Sequence, residues 1–187
     1  AHQLGLNQVS AFDVAAVCTG FLYAFALGYE AIKSGAVNSV LVIAADTFSK
    51  ILDKKDRSTS VIFGDGAGAV ILGNSTVKDI GDQVGTFSLS SDGSDYDAIL
   101  VPVGGSRCPE PDSNYNSSFF TMDGRRVFHT AVTNMTASIQ SILKAEGLTI
   151  NDCNWLVAHQ ANKRILIAVA KQLGFPIDRI VFDLYEY

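Results

Sequence analysis

Residues 155–184 read WLVAHQANKRILIAVAKQLGFPIDRIVFDL, the clearest structural pattern in the chain. Trp155 to Ala158 is a short apolar run of strand type, and Asn162 to Leu173 is a helical stretch closed by Gly174. Ile180 to Leu184 is a second strand-type run. A strand, a helix and a strand in this order call for parallel pairing through a right-handed crossover, which places the chain in the α/β class.

The same logic extends toward the N-terminus. Gly124 to Glu146 reads as a long amphipathic helix that ends before Gly147. Before it, Asp92 to Ser118 is a long loop with Gly, Pro and Asn throughout, a length that points to a functional or lid segment. Gly85 to Ser90 reads as a strand, and Val61 to Leu72 (VIFGDGAGAVIL) as a glycine-rich turn running into a buried strand. Ser49 to Ser60 is a polar, charge-rich loop. Ser39 to Ala45 (SVLVIAA) is a β-branched run, the pattern of a strand covered on both faces. From Thr19 the spacing of Leu22, Phe25, Ala26 and Tyr29 is helical, with Gly35 as a stop, and Phe12 to Cys18 fits a short strand that ends as this helix begins. The mostly parallel sheet that results permits two related halves.

Composition narrows the class of function. The chain has 187 residues, of which 48% are hydrophobic and 18% charged, a composition suited to a buried core. Its formal charge of −5 leaves no general basic surface for nucleic acid. The longest uncharged apolar stretch, Val14 to Tyr29, has 16 residues and falls short of the roughly 20 that span a bilayer. Cysteines at 18, 108 and 153 form no CxxC pair and have no histidines at metal-ligand spacing, so neither a disulfide framework nor a structural metal is expected and a reducing cytoplasm is the default compartment. The opening AHQLGLNQVSAFD has neither an initiator methionine nor a leader pattern, and the chain reads as an internal fragment of something larger.

Cys18, in DVAAVCTGF, sits where a strand would hand over to a helix, and backbone N–H groups at a helix start stabilise a thiolate. That position suits a nucleophile; a small buried hydrophobe is the other reading. His159, in WLVAHQANKRI, falls at the end of a strand, at the edge of the sheet where functional groups gather. It can donate a hydrogen bond to a carbonyl or take a proton, or it can be satisfied by a neighbouring loop. Asn162, on the first turn of the next helix, can equally be an N-terminal polar residue. Cys18 and His159 are too far apart in sequence for a local motif, so any dyad must be assembled by the fold. Gly64-Asp65-Gly66-Ala67-Gly68 lacks the Lys-Ser/Thr of a phosphate loop and runs into a strand, which leaves tight turns and close packing as its expected purpose. His2 and His129 read as surface or core residues, and Cys108 and Cys153 as structural ones. Residues 124–179 hold 7 basic and 3 acidic side chains, against 7 and 14 in residues 1–123. Such a basic segment can steer an acidic macromolecule to one face, although a solvated mixed-charge surface is the competing account.

Four motifs in order, FDVAAVCTGF, DRSTSVIFGDGAGAVIL from Asp56, MDGRRVF from Met122 and VAHQANKRI from Val157, together resemble the β-ketoacyl-[acyl-carrier-protein] synthase III family. The resemblance runs along essentially the whole chain, and the HQAN run separates this branch from the elongating condensing enzymes. It implies a thiolase-like α/β fold of two similar halves in a layered αβαβα arrangement, truncated here at both ends, with 1–84 belonging to the N-terminal half and 85–187 to the C-terminal half. It also implies decarboxylative condensation of a short acyl-CoA with malonyl-[acyl-carrier protein] to start fatty-acid synthesis. Within that resemblance Cys18 is the acyl-accepting nucleophile and His159 steadies the malonyl thioester carbonyl. Gly124, Phe128, Ala161 and Asn162 line the pantetheine tunnel, Arg57 lies near the coenzyme A nucleotide, and Arg164 and Lys171 dock the carrier protein. The partners implied are acyl-carrier protein, coenzyme A thioesters and a second copy in a homodimer, with no cofactor, metal, nucleic acid or membrane. The family's third catalytic group, an asparagine, is expected beyond Tyr187, so this polypeptide alone is expected to be poorly active. Two alternatives stand beside this reading: a related acyltransferase of secondary metabolism, and a non-catalytic scaffold that binds an acyl carrier.

Overall fold

Helix α3 (Lys163–Leu173) begins where Asn162 turns its side chain back to accept the Arg164 N–H at 2.8 Å, and it ends at Gly174, whose φ of 67° is the left-handed conformation that favours glycine. Between these caps, Ile165, Leu166, Val169 and Ala170 fall on one face and are buried. Helix α2 (Gly124–Ala145) starts on Asp123, whose carboxylate accepts the Arg126 N–H at 3.1 Å, and presents Val132 and Thr136 to the interior. The two helices pack on each other through Val132, Ile165 and Val169 with Met135 and Ile139, and the Thr136 hydroxyl donates to Gln172 Oε1 at 3.0 Å. Both helices form where the sequence places them.

These elements belong to a computed structural model that describes residues 1–73, 84–112 and 117–183. The chain separates into two compact units, one made of residues 1–45 and 67–83, the other of 46–66 and 84–187.

The first unit holds helix α1 (Gly20–Lys33) and most of strands β1 (Ser39–Thr47) and β2 (Asp65–Gly73), which pair with each other. Gly28 is the contact point of the helix: a Cβ there would lie 3.0 Å from Val40 Cγ1 and 3.2 Å from Leu72 Cδ1, so the close approach requires glycine. The expected burial of both strands fails. Leu41, Ile43 and Ile71 are exposed, so neither β1 nor β2 is covered on both faces. The close packing expected of Gly64, Gly66 and Gly68 fails with it: none has a positive φ and a Cβ would meet nothing at any of the three, because that side of the turn and strand is open. The strand expected over Phe12 to Cys18 does not form either. Its end curls into a 3₁₀ turn, Val17–Thr19, in which the Ala16 carbonyl accepts from Thr19 N and Thr19 Oγ1.

In the second unit, Leu166, Ala170, Phe175 and Ile180 form the core under α3, with Leu156, Ala158 and Phe182 packed against it. The strand-type runs at Trp155–Ala158 and Ile180–Leu184 meet in a single parallel bridge, Leu156 to Ile180, instead of a ladder; Leu184 lies outside the described residues. Gly85 to Ser90 is not a strand: the Thr86 N–H donates to the Glu146 carboxylate at 2.9 Å. The long loop contains an element that composition hid, β3 (Ile99–Leu100), antiparallel to β4 (Thr121–Met122); residues 113–116 of that loop are outside the described set. The polar loop after β1 folds over an aromatic cluster in which Phe48, Phe63 and Phe120 lie with ring centroids 4.8–5.0 Å apart, and the Phe120 N–H donates to Ile51 O.

Candidate active site

Cys18 occupies the 3₁₀ turn that feeds directly into α1, and it is exposed. The residue before it, Val17, has φ of +48° and is 82% exposed. A β-branched side chain in the left-handed region is strained by about 1–3 kcal/mol, and at this exposure burial does not offset it. The strain is local to the turn that puts the thiol at the head of the helix. Thr19, the N-cap of α1, makes no side-chain cap hydrogen bond, and its hydroxyl donates to Ala16 O. The Thr19 and Gly20 N–H groups donate within the turn, to Ala16 O and Val17 O, and the positive end of the α1 dipole beside Cys18 favours an anion there.

His159, Gln160, Ala161 and Asn162 form the connection from Leu156 to α3 in the second unit. His159 keeps accessible surface, yet the protein packed around its ring withdraws it from water enough to push its pKa below the ordinary imidazole value. The shift favours the neutral ring, which has one N–H to donate. Asn162 commits its Oδ1 to the cap of α3, and its carbonyl accepts from Ile165 N at 3.0 Å.

Gln160 was not singled out by its sequence, and it is the best-connected side chain of the run. Its Nε2 donates to Ala158 O at 2.9 Å and to Val181 O at 3.0 Å, and its Oε1 accepts from Asp183 N at 3.3 Å. Two of these partners lie more than twenty residues away, so no local pattern could have exposed the role.

The remaining candidates of this unit occupy three places. Arg57 is exposed on a turn ordered by Asp56, whose carboxylate accepts from Ser58 N, Ser58 Oγ and Thr59 Oγ1 at 2.6–2.9 Å. Those hydrogen bonds, Ser58 foremost, hold the Asp56 pKa below the usual carboxylate value. Gly124 and Phe128 stand on the exposed first turns of α2. Arg164 and Lys171, seven residues apart and both exposed, share one side of α3. Arg126, by contrast, is drawn into a cluster: its guanidinium binds Asp95 and reaches Asp97 at 2.9 Å, while Thr130 Oγ1 donates to Asp95 at 2.9 Å. One of the seven basic residues in the 124–179 segment is thus neutralised by the loop before it.

Among the described residues no three His, Cys, Asp or Glu side chains are grouped to hold a metal ion, and no helix is long and apolar enough to cross a membrane.

Comparison with known proteins covers both units. Residues 12–93 match the 3-oxoacyl-[acyl-carrier-protein] synthase III family and residues 143–187 its C-terminal counterpart. The chain is 48% identical to β-ketoacyl-[acyl-carrier-protein] synthase III 3 of Streptomyces coelicolor over 100% of this chain and 56% of that protein. It is 44% identical to the corresponding synthase of Pseudomonas aeruginosa over the same shares. The crystal structure of 3-oxoacyl-(acyl carrier protein) synthase III from Pseudomonas aeruginosa superposes with a TM-score of 0.86 at 40% identity, covering 99% of this chain and 55% of that one. The Aquifex aeolicus synthase structure superposes with a TM-score of 0.85 at 33% identity, covering 100% and 55%. The chain spans about half the length of these relatives and shares their thiolase-like α/β fold. With both its N-terminal and C-terminal segments matched, the chain belongs to the 3-oxoacyl-[acyl-carrier-protein] synthase III family.

Proposed function

We propose that the intact protein condenses a short acyl-CoA with malonyl-[acyl-carrier protein], releasing CO2 and coenzyme A. The observation that carries this reading is the 48% identity to the Streptomyces coelicolor synthase, which extends over the whole chain and so includes both the Cys18 turn and the His159 connection. In the first step the Cys18 thiolate attacks the acyl-CoA carbonyl, and the coenzyme A thiolate leaves with the electron pair. The positive end of the α1 dipole beside Cys18 suits the oxyanion that forms in between. In the second step the malonyl carboxylate departs as CO2 and leaves its electron pair on an enolate. The neutral His159 ring donates a hydrogen bond to that oxygen, the role for which a depressed pKa fits it. The enolate carbon then attacks the acyl-Cys18 carbonyl and regenerates the thiolate.

Arg57 takes the nucleotide end of coenzyme A, Gly124, Phe128, Ala161 and Asn162 border the pantetheine arm, and Arg164 with Lys171 meets the acidic carrier protein. The enzyme acts in the cytoplasm as a homodimer, without cofactor, nucleic acid or membrane, with 1–84 and 85–187 contributing to its two halves. A second reading, acyl transfer that primes a secondary-metabolic pathway, has support in the 33% identity and TM-score of 0.85 to a priming β-ketosynthase from the R1128 polyketide pathway.

The experiment is to incubate the intact protein with a panel of acyl-CoAs and malonyl-[acyl-carrier protein], reading Cys18 by mass and the product by chromatography. An acyl adduct on Cys18 and a β-ketoacyl product are expected. Preferential loading of Cys18 with other acyl groups supports the secondary-metabolic reading, and acyl transfer that survives Cys18→Ser leaves only a scaffold.

A further inference from the structure

The segment that carries His159 has almost no sheet to hold it. Beyond the single bridge, in which Leu156 N donates to Arg179 O and Val181 N donates to Leu156 O, both at 3.0 Å, no backbone ladder joins 157–161 to 181–183 among the described residues. A carboxamide bridges them. Gln160 Nε2 donates to a carbonyl on each side, Ala158 O at 2.9 Å and Val181 O at 3.0 Å, and Gln160 Oε1 accepts the Asp183 N–H at 3.3 Å. The amide is thus used from both ends with donor and acceptor matched, which fixes its orientation. It does the work of a missing peptide unit in the ladder, at the residue next to the imidazole.

We infer that Gln160 is a positioning residue, a side-chain splint that fixes the His159 backbone to the 181–183 segment and so sets where the imidazole points. This rests on the condensation reading above. The inference concerns the second step only: the splint lies in the unit of His159, and the acyl transfer to Cys18 does not use that ring.

In the intact protein, Gln160→Met keeps the length of the side chain and removes all three hydrogen bonds. Gln160→Glu keeps the acceptor for Asp183 N and sets a carboxylate against two carbonyl oxygens. Both variants are expected to slow condensation by about 10- to 100-fold, the scale of a misplaced catalytic group. Formation of acyl-Cys18, followed by mass, and KM for acyl-CoA are expected to stay within about two-fold of wild type. Condensation at the wild-type rate in either variant overturns the inference, and so does a loss shared equally by both half-reactions. Should neither variant fold, amide exchange in the wild type decides: an Asp183 N–H protected from exchange supports the splint, and one exchanging at the unstructured rate overturns it. A wild-type protein that forms no β-ketoacyl product overturns the condensation reading itself, whereas a condensing wild type with a condensing Gln160→Met overturns the splint alone.

Discussion

In the unit that carries His159, α3 takes Leu166, Val169 and Ala170 completely out of solvent, with Phe175 and Ile180 close behind. Among the described residues of the unit that carries Cys18 the best-buried apolar side chains are Val42, Ala26 and Ile32, while Phe12, Val17, Ile43 and Ile71 each stand more than half exposed. The two catalytic candidates therefore rest on different kinds of support. His159 is attached to a packed helix pair and splinted by a neighbouring side chain. Cys18 is held by a strained turn at the head of a helix, in a unit whose apolar strand faces are open. The relatives are nearly twice as long, and the faces left open here are those whose sequence pattern assigns them to an interior.

The largest effects should separate the two regions by reaction step. Cys18→Ala in the intact protein removes the acyl acceptor, and both adduct formation and condensation are expected to fall by at least about 10³-fold. His159→Ala should leave the mass shift on Cys18 intact and lower the rate of β-ketoacyl product by about 10²–10⁴-fold, read by trapping CO2 or the product. If His159→Ala also abolishes acylation, the division of labour between the regions is wrong.

Next in size comes the contrast in packing. Leu166→Ala cuts a cavity in a fully buried site and is expected to cost about 2–5 kcal/mol. Ile71→Ala, at a residue 78% exposed, should change stability by no more than about 0.5 kcal/mol if that strand face is open in the intact protein as it is here. Chemical denaturation of both variants tests the comparison, and a loss at Ile71 near that at Leu166 would show the face to be covered there.

The same contrast explains how much could be read in the sequence. Helices α2 and α3 were legible because each buries its apolar stripe within this chain, so period, caps and packing agree. Strands β1 and β2 were legible as strands through their β-branched runs, but their burial was not, since burial depends on what lies across the sheet. Phe12–Cys18 and Gly85–Ser90 have strand-like composition without a ladder to join; in the second, Thr86 N goes to the Glu146 carboxylate instead. The sequence singles out candidates where chemistry needs a particular residue type, as at Cys18 and His159. The site was illegible where a residue acts through distant backbone, as Gln160 does, or through an unusual dihedral, as Val17 does.

Val17 gives a smaller test of the same division. Val17→Gly removes a side chain that resists φ of +48°, and relief of that resistance is expected to raise stability by about 1 kcal/mol in thermal unfolding. The looser turn should at the same time slow acylation of Cys18 a few-fold and leave His159-dependent decarboxylation of the malonyl thioester unchanged. A loss of stability would mean that the turn is not strained in the intact protein.

The smallest expected effect is in acid. Burial lowers the His159 pKa below its unfolded value near 6.5, so the folded state favours the neutral ring. For a group shifted in this direction the contribution to stability is fully present above the unfolded pKa and is lost as the pH falls through the folded one. The protonated ring is also the wrong partner for a step tuned to a neutral donor. The rate of condensation should therefore stay flat on descending from pH 8 to about 6.5 and drop only below it, in step with the His159 ring resonances in an NMR titration. Acylation of Cys18, which does not use the ring, should lack that particular limb. An acid limb shared by both half-reactions at the same pH would tie the two regions to one titrating group and remove the distinction between them.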